Sequence, residues 1–437
     1  MVNRDHRYRL AVGTSFLSKV LGAVLQVISL PIIQQTLGTE RLAAYLALTA
    51  LVAWIAPLGL GVLPAMTRQL AVAAAGSDHR RETRLVGAGF WFTLCVGSGI
   101  AALSIVGVQF LGAARLVGNV PGVAQQELDG ALLAALLLTS AYFFGNCAAA
   151  MRAGYQQMHV SNMLSTVANI LSLGMLLLLW RRETVIAWFV VAVYFPLTVL
   201  MLMDLARQFH ERRYLFPPPA PASRDLREGG LSGLLQTSGV AWIAQLHGFL
   251  VAHASVLMVS HAAGTDETAA FGTLMRGALL VYAVVGLYVW PMVPALSDAI
   301  ARKEWVWARR SWLRSVWATL AIAVPSALAL GVMGPWIVRV WLGAEVPVPP
   351  LMAAGMGLFL LGFNLNFLGF NTCLALGATR WLAWTYLAEA ALFVLLSILL
   401  APLLGATGIA LALGLSSVAI NFWIMPLRSL QRLRGLP

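Results

Sequence analysis

Residues 10–36 read LAVGTSFLSKVLGAVLQVISLPIIQQT, a run in which the one ionised group is Lys19. A helix of that length rises about 40 Å at 1.5 Å per residue, more than the roughly 30 Å of a bilayer's hydrocarbon core. Arg4, Arg7 and Arg9 precede it as in a signal peptide. The apolar stretch nevertheless runs to about Gly38 without a small-residue cleavage pattern, so it is expected to stay as a first membrane span.

The rest of the chain repeats this pattern. Of its 437 residues 60% are hydrophobic and 11% charged, with a mean hydropathy of +0.81, whereas soluble domains carry about 25% charged residues. Hydrocarbon offers no partner to an unsatisfied backbone group, so the apolar windows must be helices. They fall near 10–36, 43–66, 86–111, 130–151, 159–180, 184–205, 233–260, 268–291, 315–334, 351–374, 382–401 and 406–426. The expected fold is an all-α integral membrane protein of about twelve transmembrane helices.

The net charge of +12 would suggest nucleic acid as a partner in a soluble chain. Here it is read as orientation. With the N-terminus in the cytoplasm, 22 of the 29 basic residues fall on inside segments and five (Arg41, Arg115, Arg181, Arg182, Arg339) on outside loops, with Lys19 and Arg276 within spans. Both termini are therefore expected in the cytoplasm. Cys95, Cys147 and Cys373 lie far apart in apolar stretches, so no metal or redox motif is expected. No lysine follows a glycine, which excludes a P-loop, and His210-Glu211 lacks the second histidine of a metalloprotease. Neither ATP hydrolysis nor a bound cofactor is expected.

The longest polar stretch, 207–230, contains Pro217-Pro218-Pro219-Ala220-Pro221 and stands at mid-chain. Across it the sequence repeats at an offset of 230 residues: Pro64-Ala65-Met66-Thr67 aligns with Pro294-Ala295-Leu296-Ser297, Ala71 with Ala301, and Arg80 and Arg84 with Arg310 and Arg314. Asn146 in the fourth span pairs less closely with Asn371 in the tenth. The expected organisation is an N-terminal lobe (1–206), a cytoplasmic Pro-rich linker (207–230) and a C-terminal lobe (231–437). Six spans per lobe would relate the two by an axis along the membrane normal, an arrangement that favours a transporter.

Several segments resemble a known group. Leu37-Gly38-Thr39-Glu40-Arg41, Tyr45, Leu58-Gly59-Leu60-Gly61 and the basic loop with Arg80-Arg81 are similar to the opening of Wzx-type oligosaccharide flippases, in the multidrug/oligosaccharidyl-lipid/polysaccharide exporter superfamily. The resemblance continues in Val340-Trp341-Leu342-Gly343 and in Leu404 to Ala412. It implies export of a polyprenyl-pyrophosphate-linked O-antigen or polysaccharide repeat unit across the bacterial inner membrane by alternating access, driven by a proton or sodium gradient, beside the polysaccharide polymerase machinery. It also implies that the first and eighth helices flank a lateral opening.

Ionised groups inside a bilayer are costly and by default functional. Lys19 lies near the midplane of the first span, on a stripe with Ser15, Gly22, Gln26 and Ser29 at steps of four and three; the alternative is a lysine snorkelling to the interface. Arg276 approaches the midplane of the eighth span from the other side. Together they can hold a pyrophosphate, the arginine as a fork and the lysine as a point charge. Glu389, with Thr385 and Ser397 on its face, is the candidate coupling site for a proton or sodium ion; the alternative is a static ion pair with Arg276 or a histidine. Gln236, Gln245, His247 and His253 on the seventh span and Asn364, Asn366 and Asn371 on the tenth are candidates for sugar hydroxyls or for interhelical glue. Pro57, Pro64, Pro196, Pro291, Pro294 and Pro325 interrupt spans at points where kinks can serve bending.

The expected function is thus a monomeric secondary transporter, not an enzyme, whose partners are lipid-linked oligosaccharide and membrane lipids. Two rivals stand beside it. One is a cation-coupled exporter of small drugs on the same fold, disfavoured by a positive N-terminal half. The other is a membrane glycosyltransferase or ligase, disfavoured by short and nearly empty outer loops.

Overall fold

The computed structural model describes residues 4–118, 120–182, 184–219, 239–375 and 382–434. Helices form nearly all of them, with no strand among the described residues. Among the described residues ten helices are long and apolar enough to cross a bilayer. The difference from twelve has two physical sources. The first candidate, Gly13–Gly59, contains two segments that reverse at Gly38, and the seventh span is represented by a shorter apolar helix, Leu246–Ala262. Large side chains such as Leu103, Phe110, Val332 and Leu403 are more than 70% exposed, a surface that lipid covers and water would not tolerate.

The chain divides into two compact units, Met1–Trp242 and Ile243–Pro437. The N-terminal unit holds α1 (Arg4–Ala53), α2 (Val62–Ala75), α3 (His79–Leu111), α4 (Ala113–Val117), α5 (Gln125–Gly154), α6 (Met158–Leu179) and α7 (Ile186–Glu211). No polar loop separates the first two spans. Helix continues through the expected gap, broken at the single residue Gly38 (φ 81°, ψ 176°), whose conformation is essentially restricted to glycine. The expected second span is itself broken. A 3-10 turn, Ala56–Gly59, with left-handed Leu60 and Gly61 separates α1 from α2, and the Pro57 carbonyl accepts both from Leu60 N at 3.1 Å and from Trp242 Nε1 at 2.8 Å. Pro196 and Pro325 lie inside helices that continue past them. The start of α3 is encoded locally: Asp78 caps it, its carboxylate accepting from Arg81 N at 3.0 Å.

The C-terminal unit holds α8 (Gly239–Phe249, entering from the first unit), a π-helical turn (Leu250–Ala254), α9 (Ser255–Ala262), α10 (Thr265–Ala301), α11 (Trp305–Leu342), α12 (Pro350–Ala375), α13 (Leu382–Leu404), α14 (Ala406–Ser416), a second π-helical turn (Ser417–Asn421) and α15 (Phe422–Arg434). Each unit is built around its fourth span: α5 packs against α2, α3 and α7, and α12 against α10, α11 and α14. Apolar attraction between helices is weak in lipid, so close approach of backbones must supply the packing, and small residues permit it. Gly355 and Gly357 of α12 do this. A Cβ on Gly355 would stand 2.7 Å from the Ala410 backbone, and one on Gly357 would stand 2.5 Å from Ala327 O. Gly355→Ala is therefore expected to destabilise the unit by about 1–3 kcal/mol through overpacking; an unchanged unfolding midpoint in detergent would refute it.

The helix before the linker ends at Glu211, five residues past the expected lobe end at 206. The first prolines of the linker are not free. Trp91 Nε1 of α3 donates to Pro218 O at 3.1 Å, and Pro219 packs so closely on Gly87 that a Cβ there would meet its carbonyl at 2.5 Å.

Candidate transport site

The buried face of α13 carries Thr385, Tyr386, Glu389, Phe393 and Ser397, while Trp384, Leu387, Leu395 and Ile398 are exposed on the other side. Glu389 is 1% exposed. Of the two partners expected for its static pairing, the structure supplies a histidine: His247 Nε2 of α8 lies 2.5 Å from Glu389 Oε2. This is an ion-pair contact and not an aligned hydrogen bond, because Nε2 has no partner by hydrogen-bond geometry. Asn421 Nδ2 donates to the same carboxylate oxygen. The Tyr386 ring lies against the imidazole, centroids 4.4 Å apart and 30° between planes.

Two of these groups sit beside irregular backbone. His247 precedes the π-helical turn Leu250–Ala254, and Asn421 ends the turn Ser417–Asn421. A π-turn holds one extra residue per turn and rotates the helix beyond it, a feature concentrated at functional sites. Of these groups Asn421 leaves its Oδ1 without a protein partner, as does Ser397 Oγ about two turns further along the buried face of α13; Asn364 Oδ1, Asn366 Oδ1 and Ser417 Oγ elsewhere in the unit are in the same condition. Buried polar atoms left in this way generally take up water or an ion.

The α1 stripe divides along its length. At 3.6 residues per turn Lys19 and Ser29 are about 80° apart around the helix, and α6 covers the Gly22–Ser29 side. There Asn162 Nδ2 donates to Thr14 Oγ1 and Asn169 Nδ2 to Ser18 O, both at 3.3 Å, and Asn169 sits over Gly22. Ser29 is buried and donates to Gln26 O at 3.1 Å. Ser15 and Lys19 are half-buried, and Gln26 is exposed. In the C-terminal unit Arg276 is half-buried on α10, with His253 close enough to feel its charge. Thr385 is buried on the Glu389 face. Asn364 and Asn371 are also buried, each donating to the carbonyl four residues back in its own helix at 2.8 Å. Gln236 and the Gln245 side chain lie outside the described residues.

Sequence reasoning missed a network at the arginine-rich end of the N-terminal unit. Arg152, expected as a loop charge, is in the last turn of α5 and 4% exposed. Its guanidinium donates to both Asp204 oxygens (2.6 Å to Oδ1 and 3.1 Å to Oδ2) and to Gln157 Oε1 at 2.7 Å. Gln208 donates to Asp204 Oδ2 at 3.0 Å. Beside it Glu82, 2% exposed, accepts from Tyr214 Oη at 2.6 Å and Tyr155 Oη at 3.0 Å, and the Arg212 guanidinium lies 4.1 Å from the Tyr155 ring centroid. Burial first, then the neighbouring Tyr214 and Glu82, push the Tyr155 phenol above its ordinary range. At the other end of the unit Arg41 makes a two-pronged pair with Glu127, 3.0–3.2 Å. The available signal was the opposite charges of Arg152 and Asp204, each within a residue of the expected ends of the fourth and sixth spans at 151 and 205.

This architecture is the fold of the MATE transporters of the MOP superfamily. The chain is similar to a multidrug resistance MATE family transporter of that superfamily in its inward-facing conformation, with 14% identity over 95% of this chain and 96% of that one and a TM-score of 0.75. A mutant of the MATE transporter VcmN of Vibrio cholerae superposes with 17% identity, 99% of both chains and a TM-score of 0.63. A MOP superfamily transporter from Pyrococcus furiosus, described as having a binding pocket of reverse polarity, gives 13% identity, 98% and 96% coverage and a TM-score of 0.59. No family profile and no curated protein matches the chain.

Proposed function

We propose that this chain is a cation-coupled secondary transporter working by alternating access, with Glu389 and His247 as its coupling pair. The observation that carries the proposal is the fully buried carboxylate held against an imidazole and an amide whose own oxygen has no protein partner. One proton on the pair leaves it neutral overall. Its loss would leave a bare buried anion, which costs several kcal/mol in a low dielectric unless water or a sodium ion enters. Ion occupancy and helix arrangement are thereby linked, and the two adjacent π-turns give the helices a way to shift.

For the cargo two readings rest on separate observations. The names of the solved neighbours support export of small organic molecules, and they bear on that reading more directly than on any lipid cargo. The charges of the chain support a polyprenyl-pyrophosphate-linked oligosaccharide, flipped outward across the bacterial inner membrane. In the N-terminal unit the buried acids Glu82 and Asp204 are already taken up by tyrosines and Arg152, so neither is open to an organic cation, whereas the ionised groups within the spans include the half-buried cations Lys19 on α1 and Arg276 on α10, each in its own unit. The Pyrococcus furiosus relative is described as having a reversed pocket polarity, so such an inversion has a counterpart on this fold. We take the anionic cargo as the reading to test first.

Proteoliposomes loaded with a labelled polyprenyl-pyrophosphate oligosaccharide decide between them. Wild type should expose the label in the opposite leaflet under a proton or sodium gradient, and Lys19→Ala and Arg276→Ala should each slow this at least tenfold. Transport of an organic cation with the lipid left in place would establish the small-molecule reading instead.

A further inference from the structure

Most arginines in the N-terminal unit that approach an acid are paired with it, as are Arg41, Arg152 and Arg207. Arg80 and Arg84 are different. They stand one turn apart on the first two turns of α3, exposed, and line a cavity of about 510 Å³ together with His79, Thr83 and Tyr214. Of the acids on this turn Asp78 caps the helix through Arg81 N, and Glu82 is buried beneath, accepting from Tyr155 and Tyr214 and lying 3.5 Å from His79 Nδ1, so neither pairs with Arg80 or Arg84 and their charges remain on the exposed lining. Beside it Phe216, 64% exposed and packed edge-on against Phe209, offers an apolar surface next to the basic one.

The repeat supplies a second copy. Offset by 230 residues, Arg310 and Arg314 stand about one turn deeper in α11, on its second and third turns, and are exposed. They too have no acidic partner among the described residues. Around them Val306, Trp307, Leu313 and Trp317 are 45–65% exposed. A pair of arginines four residues apart faces one way from a helix and can straddle a phosphate through several N–H donors. Arginine with exposed tryptophan or phenylalanine is the composition of a bilayer's interfacial layer, where anionic headgroups concentrate.

We propose that the Arg80–Arg84 and Arg310–Arg314 pairs are two equivalent sites for the phosphate headgroup of an anionic phospholipid, one on the third span of each unit. In each, the guanidinium pair takes the phosphodiester and the adjacent aromatic or aliphatic side chains take the upper acyl chain. Loss of both arginines from one site is expected to weaken lipid binding there about thirtyfold, from roughly 1 kcal/mol per basic residue at a membrane surface.

The test is native mass spectrometry of the full chain, released from nanodiscs containing phosphatidylglycerol and phosphatidylcholine. Wild type should retain two phosphatidylglycerol molecules, Arg80→Gln/Arg84→Gln one, Arg310→Gln/Arg314→Gln one, and the fourfold variant none. Lysine at the same four positions should restore retention in part, which separates charge from folding. Equal retention by wild type and the fourfold variant, or phosphatidylcholine held as strongly, would overturn the proposal. So would displacement of the lipid by inorganic phosphate at millimolar concentration, which would identify sites for a free anion.

Discussion

Glu389→Gln is expected to abolish gradient-driven accumulation of cargo while leaving exchange down a cargo gradient intact. Glutamine has nearly the shape of glutamate, so the contact with Asn421 and the packing of α13 can persist. What disappears is the negative charge that stands against His247 and that the proposed coupling ion requires. Without it no ion-dependent difference remains between the two states of the transporter, and an ion gradient can shift an equilibrium only through differential binding. Folding should suffer modestly, by about 1–3 kcal/mol, the penalty for a buried imidazole that loses its partner. The measurement compares uphill uptake with counterflow in proteoliposomes at matched reconstitution. Wild-type uphill uptake in the variant would remove Glu389 from the coupling mechanism, and loss of both activities with a collapsed elution profile would make the pair a structural tie. Where His247→Gln also shifts the pH dependence of uptake, the proton is the coupling ion; where the profile is flat and sodium dependence changes, sodium is.

The largest expected effect on stability belongs to Arg152. Its guanidinium and the Asp204 carboxylate are both 4% exposed and paired at 2.6 Å. Arg152→Ala leaves Asp204 with Gln208 as its remaining neighbour, and removing one member of such a pair costs about 3–5 kcal/mol. The paired change Arg152→Met with Asp204→Leu removes both charges and should recover most of that loss, since apolar replacement of a whole buried pair is often neutral or better. Unfolding midpoints of wild type, Arg152→Met, Asp204→Leu and the double variant in one detergent give the cycle. Strict additivity of the two single effects would mean that the ion pair contributes nothing as a pair.

How far these features could be read from residues alone varies with the kind of information each requires. The expected spans rested on length and apolarity, which hydrocarbon imposes residue by residue; most correspond to a helix, with ends that move by up to ten residues, as where 315–334 becomes Trp305–Leu342. The places of the Gly38 break and of the turn at Pro57 were legible, as the gap at 36–43 and a proline within a span, but their form, a single-residue break and a 3-10 turn, was not. Both lie where glycines and a proline permit a break without dictating one, and the Trp242 bond to Pro57 O comes from the far end of the unit. The buried face of α13 was legible, because Thr385, Glu389 and Ser397 recur at helical spacing in an otherwise apolar helix. Their partners were not, since His247 and Asn421 reach Glu389 from segments 142 residues before it and 32 after it. The α1 stripe shows the opposite failure. A spacing of three and four was read as one face, yet an 80° spread is wide enough for a neighbouring helix to cover one margin and leave the other open.

Composition and periodicity by themselves determined that this is a helical membrane protein of two similar halves, because a bilayer's thickness and its lack of hydrogen-bond partners act on every residue locally. Tertiary structure alone decided which charges are spent and which are open. Arg152 and Arg41 are paired with acids from distant helices, Arg80 and Arg84 with none among the described residues, and Glu389 with a histidine at the edge of a π-turn. A charge's partner is set by where other helices pass within a few ångströms of it, and no local pattern in the chain contains that distance.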